Sequence, residues 1–190
     1  MTQKTNYNPE MHHRKSIRLN EYDYSQPGMY YLTICTHNRQ FFFGDITGEE
    51  MRLHDAGIAA VNCWDEIPKH FPNVLLDQCI VMPNHVHGII VITEAAGANG
   101  DVGANDYSPL RTVQPPRKKG TSKKIGSIVR GFKIGVTKWF QENHSPQTVW
   151  QRNYYEHIIR DDDDLNRIRE YIINNPMNWD IDENNPAVKQ

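Results

Sequence analysis

Residues 74–82 and 85–93 are two apolar runs rich in β-branched side chains, separated only by Pro83-Asn84. Proline lacks the N–H that a strand interior needs, and asparagine suits a turn, so the pair reads as the bend of an antiparallel hairpin. Neither run is long enough to span a bilayer as a helix. Side chains on a strand alternate between two faces, so this hairpin also dictates which residues lie together. The second run opens with His85-Val86-His87. The two imidazoles therefore share one face, and Val86 points to the other. Such a pair can hold one metal ion or bracket one phosphate. Taken alone it is more simply read as a histidine-rich polar strand face.

The remaining segments have clear periods. Residues 28–38 are β-branched and aromatic and follow Pro27-Gly28, which predicts a strand. Phe41-Phe42-Phe43 and Met51-Arg52-Leu53 predict a short hairpin around residues 44–50. Residues 55–71 predict a helix that Pro68 distorts or ends. Residues 95–114 are rich in Gly, Ala and Asn and lead to Pro115-Pro116, a composition expected of a flexible insertion. Residues 122–143 predict a long helix with an apolar stripe through Ile125, Ile128, Phe132, Val136 and Phe140. Residues 150–160 suit a strand. Residues 161–175 predict a last helix with an acidic first turn, favourable at the positive end of the helix dipole. Strand, helix, strand, strand, helix, strand gives a ferredoxin-like βαββαβ arrangement, an α+β fold with a four-stranded antiparallel sheet, helices on one face and a further C-terminal helix. The expected division is an N-terminal arm (1–26), one domain (27–179, with residues 95–116 as the insertion) and a C-terminal tail (180–190).

Charge is unevenly spread. The net charge is −2, yet residues 111–138 carry nine basic groups and no acidic one. A block of this kind, continuing into an amphipathic helix, is an electrostatic footprint for a polyanion. Arg117, Lys118, Lys119, Lys123, Lys124, Arg130, Lys133 and Lys138 are the candidate residues for that contact. The N-terminus has no apolar signal core and no apolar run reaches membrane-spanning length, so a cytoplasmic protein without a membrane partner is expected. Cys35, Cys63 and Cys79 lack CxxC spacing and sit among apolar residues, which predicts reduced, buried thiols.

The last helix places Tyr171 and Asn175 four residues apart, hence on one face. Val81-Met82-Pro83-Asn84-His85-Val86-His87-Gly88, then Trp150-Gln151-Arg152-Asn153-Tyr154-Tyr155-Glu156-His157, then Tyr171-Ile172-Ile173-Asn174-Asn175-Pro176 resemble the REP-associated tyrosine transposases, a group of the HUH single-tyrosine (IS200-like) class. The resemblance spans roughly residues 27–179 outside the insertion, with three motifs in order. It implies a metal-dependent endonuclease and strand transferase that acts on single-stranded or hairpin DNA through a 5′-phosphotyrosine. It further implies that His85 and His87 bind the divalent metal, Mg²⁺ or Mn²⁺, and that Tyr171 is the catalytic nucleophile. Asn175 stands where relatives often carry a glutamine as third ligand. Related transposases include both dimers and monomers, so a homodimer and a monomer are both open.

Two other readings fit the same residues. One is a non-catalytic DNA-binding protein for palindromic repeats, which would keep the basic helix without needing metal. The other is an RNA-binding or RNA-cleaving protein, since ferredoxin-like sheets commonly bind RNA. Tyr154 or Tyr155 is the alternative nucleophile. On a strand, Tyr155 and His157 share one face, and a half-buried strand with a polar tip accounts for that cluster without catalysis. His37, His54, His70 and His144 stand apart and carry no site.

Overall fold

The computed structural model describes residues 26–94, 123–143 and 147–189. The strands are β1 (Gly28–Cys35), β2 (Gly44–Thr47), β3 (Glu50–Leu53), β4 (Val74–Met82), β5 (His85–Ile92) and β6 (Tyr155–Ile159). The helices are α1 (Asp55–Asp65), α2 (Ile67–His70), α3 (Lys123–Asn143) and α4 (Asp162–Ile173). The main sheet runs β4-β5-β1-β6, with every neighbour antiparallel, and β2 and β3 form a separate hairpin. This is the expected α+β, ferredoxin-like sheet. The arm and the insertion lie outside the described residues. No helix among the described residues is long and apolar enough to cross a membrane.

Local differences from the sequence reading have physical causes. The small hairpin starts at Gly44 instead of Phe41, because Phe43 is spent on the core, where it is fully buried against Trp150. The helix expected over residues 55–71 is two helices. Pro68 sits in the first turn of α2, where its missing N–H costs nothing, and α1 stops before it. The strand expected over residues 150–160 shortens to β6, and Trp150 makes only a single bridge with Thr36. Asp161 caps α4, its carboxylate accepting from the Asp164 N–H at 2.8 Å, with Asp162, Asp163 and Asp164 in the first turn.

Alternation along β1 and β5 divides the molecule into layers. Tyr30, Leu32, Ile34, Val86, Ile90 and Ile92 point into the larger core, against Ala56, Ala60 and Trp64 of α1 and Ile125, Ile128, Phe132 and Val136 of α3. Tyr31 and Ile89 point to the other face, against Leu165, Ile168 and Ile172 of α4. Two helices thus cover one face and α4 the opposite one. The odd-numbered face that carries His85 and His87 is the face α4 covers. Two contacts anchor α4 there. The Arg169 guanidinium forks onto the Asp77 carboxylate, with one of the two bonds at 2.8 Å, and His157 Nε2 lies 2.7 Å from Asp164.

Gly88, directly after the histidine pair, lets the α1 layer close onto β5. A Cβ there would meet Trp64 Cζ2 at 2.2 Å. Trp64 is almost fully buried and has no room to retreat. Gly88→Ala is expected to cost about 1–3 kcal/mol by overpacking. In thermal denaturation it should lower Tm by roughly 2–12 °C. An unchanged Tm would show that this closure is not tight.

Candidate functional site

β5 brings His85 and His87 side by side with their Nε2 atoms 2.9 Å apart, and both side chains are buried. Their outer nitrogens are held separately. His85 Nδ1 lies 2.8 Å from Asn84 Oδ1. The Asn84 amide is oriented by its other end, since Nδ2 donates to the carbonyls of Arg39 and Asn184 at 3.2 and 2.9 Å. An amide oxygen only accepts, so His85 carries its proton on Nδ1 and presents a lone pair at Nε2. His87 Nδ1 meets two hydroxyls, Tyr31 at 2.6 Å and Thr33 at 3.0 Å. A hydroxyl can donate or accept, so His87 has a partner in either tautomer. With no ion between the rings, His87 Nε2–H can donate to His85. With one present, the proton can sit on Nδ1, and both Nε2 lone pairs face the same point.

The last helix and the turn after it complete the cluster. Tyr171, on α4, has its ring 5.3 Å from that of His87 and remains 41% exposed. Its hydroxyl donates to Asp182 Oδ2 at 3.3 Å. Asn175 lies just beyond α4 and is fully buried; its Nδ2 donates to the same Asp182 oxygen at 3.0 Å. Asn175 Oδ1 is buried and has no hydrogen-bond partner. Asp182 follows a 3-10 turn (Trp179–Ile181), with the Asn184 N–H donating to its Oδ1 at 2.5 Å. Ligand atoms of His85, His87 and Asp182 all lie within 4.8 Å of one another. The Trp179 indole stacks over His85, centroids 6.1 Å apart.

The electrostatics favour neutral imidazoles and a protonated phenol. Burial pushes His85 down to about 3, helped by the charge of Arg39 and opposed by Asn175. Burial, with His85 as neighbour, also holds His87 well below its usual value. Neutral imidazole is the metal-binding form. Burial, then the Asp182 carboxylate, pushes Tyr171 up to about 12. A buried amide oxygen without a donor, a carboxylate and two neutral imidazoles form a donor set that suits one divalent cation.

Of the residues singled out by sequence, His85, His87, Tyr171 and Asn175 converge. The basic set does not join them. Arg130 and Lys138 are exposed on α3, across the sheet from the histidines. Lys133 is turned inward, its ammonium donating to the carbonyls of Gln151 and Asn153 at 2.8 and 3.1 Å, and burial pushes it down to about 8. Lys123 and Lys124 open α3, while Arg117, Lys118 and Lys119 lie outside the described residues. Sequence reasoning missed Tyr31, Thr33, Asn84 and Asp182. Asn84 adjoins the pair, and pairing of Thr33 with His87 would have exposed the β1 residues once the register was known. Asp182 had no signal beyond a polar stretch.

The depressed histidines make stability pH-dependent. Below the unfolded value of 6.5 the unfolded chain takes up protons that the folded pair refuses. Stability is therefore intact above about pH 6.5 and falls towards pH 3, by up to about 1.4 kcal/mol per pH unit for each histidine. Urea unfolding without added metal should show this slope, and His85→Gln should flatten it. An equal slope in the variant would contradict the assignment.

Comparison with known proteins agrees with the motifs. No family model matches the chain. It is 49% identical over 179 residues to an uncharacterised Haemophilus influenzae protein, covering 94% of this chain and 97% of that one. It is 25% identical over 155 residues to a second protein of that organism, provisionally named a REP-associated tyrosine transposase, covering 82% and 73%. Its fold resembles a solved REP-associated tyrosine transposase bound to a REP hairpin, with a TM-score of 0.53 at 19% identity, covering 92% of this chain and 78% of that one. The chain is thus similar to REP-associated tyrosine transposases, in sequence over 155 residues and in fold.

Proposed function

We propose that this protein nicks and rejoins single-stranded or hairpin DNA through a covalent bond to Tyr171. The observation that carries the reading is the clustering of His85, His87 and Asp182 ligand atoms within 4.8 Å of one another, with the half-exposed Tyr171 and the buried Asn175 both hydrogen-bonded to Asp182. The hairpin-bound structural relative supports DNA as the partner.

The residues act as follows. His85 and His87, oriented by Asn84 and by Tyr31 with Thr33, would hold a divalent ion, with Asn175 Oδ1 and the Asp182 carboxylate as its oxygen donors. Mg²⁺ or Mn²⁺ there supplies positive charge against phosphate oxygens as the transition state develops. Tyr171 Oη forms a bond to phosphorus as the bond to the 3′ oxygen breaks. The phenol proton passes to Asp182 Oδ2, its hydrogen-bond acceptor, and the departing oxygen takes up a proton to become a 3′-OH. The 5′-phosphotyrosine keeps the energy of the broken bond, so a second 3′-OH can displace the tyrosine without ATP. Arg130 and Lys138, exposed on α3, would meet backbone phosphates away from the reacting point. Lys133 would act indirectly, through the loop it holds.

With an ssDNA hairpin and Mn²⁺, a denaturing gel should show a protein–DNA adduct. Tyr171→Phe should remove it while hairpin binding stays near normal. An adduct that survives in Tyr171→Phe but disappears in Tyr154→Phe or Tyr155→Phe would overturn the assignment. The metal set has its own readout. Mn²⁺ titration followed by electron paramagnetic resonance should show His85→Ala, His87→Ala and Asp182→Ala each weakening binding by at least about tenfold, the scale of losing even an outer partner. Unchanged affinity in Asp182→Ala would remove the carboxylate from the set.

A further inference from the structure

A cavity of about 690 Å³ runs from the catalytic cluster along the α4-covered face of the sheet. Its lining includes His87 and Tyr171 as well as Gln151, Asn153 and Tyr155, and His87 and Tyr155 flank Thr33 on opposite sides across the sheet. Its volume suits a small organic group of nucleotide size. Its floor is set by register, since Thr33 on β1 pairs with Tyr155 on β6.

The chemistry of the β6 side of the cavity is selective. Tyr155 is 44% exposed, and its ring is braced edge-on against Tyr31 at 6.3 Å. Among the described residues the side-chain amides of Gln151 and Asn153 make no hydrogen bond, although both backbones are fixed. Lys133 binds the two carbonyls, and the Gln151 N–H donates to the Cys35 carbonyl at 3.0 Å. The cations that reach the cavity are already engaged. Arg39 donates to Asn184, and Arg167 donates to Asp164. An open aromatic ring beside two free amides suits a planar heterocycle. Nucleobases stack on tyrosine, and their edges match the paired donor and acceptor of an amide.

We propose that this cavity seats one unpaired nucleobase, next along the strand from the phosphate attacked by Tyr171, with Tyr155 as its stacking platform and Gln151 and Asn153 facing its edge. This rests on the strand-transfer reading above, because a strand whose phosphate lies at Tyr171 must lead its neighbouring nucleoside away along the cavity or out to solvent. Tyr155 is then a binding residue and not a nucleophile, and Gln151 and Asn153 are the specificity-determining pair.

The test uses the full chain in a Tyr171→Phe background, which cannot cleave. The probe is a dye-labelled DNA hairpin with a single-stranded flank, read by fluorescence anisotropy. One abasic nucleotide is moved stepwise through the flank. A single position should lose affinity, and Tyr155→Ala should lose about 5- to 150-fold, the range for one stacked base. In Tyr155→Ala the abasic substitution at that position should have no further effect. Tyr155→Phe keeps the ring and should bind like its parent, which separates stacking from loss of folding. A flat abasic scan, no binding at all, or an equal abasic penalty with and without Tyr155 would overturn the seat. So would a Tyr155→Phe defect as large as that of Tyr155→Ala. The underlying reading fails separately: an adduct with a flat scan sinks only the seat, whereas a position-dependent scan without any adduct from the unsubstituted chain sinks only the chemistry.

Discussion

The contact between Asn84 and His85 is the interaction on which the rest of the site depends. The asparagine closes the hairpin turn, reaches two backbone carbonyls with its amide nitrogen, and has only its oxygen left for the imidazole. One side chain therefore does the work of a turn residue, a brace and a tautomer lock. Without that lock the inner nitrogen of His85 could carry the proton and would turn an N–H, not a lone pair, towards His87. With it, the pair keeps a lone pair aimed inward even though both rings are sealed from water. Burial then keeps the rings neutral, which would be a costly arrangement for a surface pair and is a useful one for a metal site.

The sheet separates two kinds of work. Apolar residues at even positions of β1 and β5 build the large core under α1 and α3. Odd positions build a smaller, polar-rich face under α4. The exposed cations of α3 consequently stand one layer away from the reacting groups. A strand bound by both must pass around the edge of the sheet, and β6, paired on one side only, is the edge that borders the cavity. On the proposed reading, phosphate attraction and bond making would be sited on different surfaces, and Lys133, bound to the Gln151 and Asn153 carbonyls, would link them.

What could be read from sequence follows physical range. Period two placed both histidines on one face, and period 3.6 with the acidic first turn located α4, so Tyr171 and Asn175 were found together. These are local rules acting over a few residues. The layer that α4 covers depends on apolar contacts from Leu165, Ile168 and Ile172 to strands far away in the chain, and no local pattern states that. Asp182 was hidden for the same reason. It is placed by a turn whose neighbour Asn184 meets Asn84 across a sequence separation of 100 residues. The cationic run was legible as charge, but charge alone did not reveal that Lys133 faces inward to two carbonyls.

The site is divided between parts of unequal stability. His85 and His87 belong to β5, which is paired on both sides and backed by the main core. Tyr171, Asn175 and Asp182 belong to α4 and the turn beyond it, held by a smaller apolar cluster and by the Asp77–Arg169 and His157–Asp164 contacts. Partial opening follows the weaker attachment. Such an opening would carry away the proposed nucleophile and proposed oxygen ligands as one unit while leaving the imidazoles in place. The half of the site that stays would lack its proposed nucleophile, so a chain caught in that state before cleavage could not start a break.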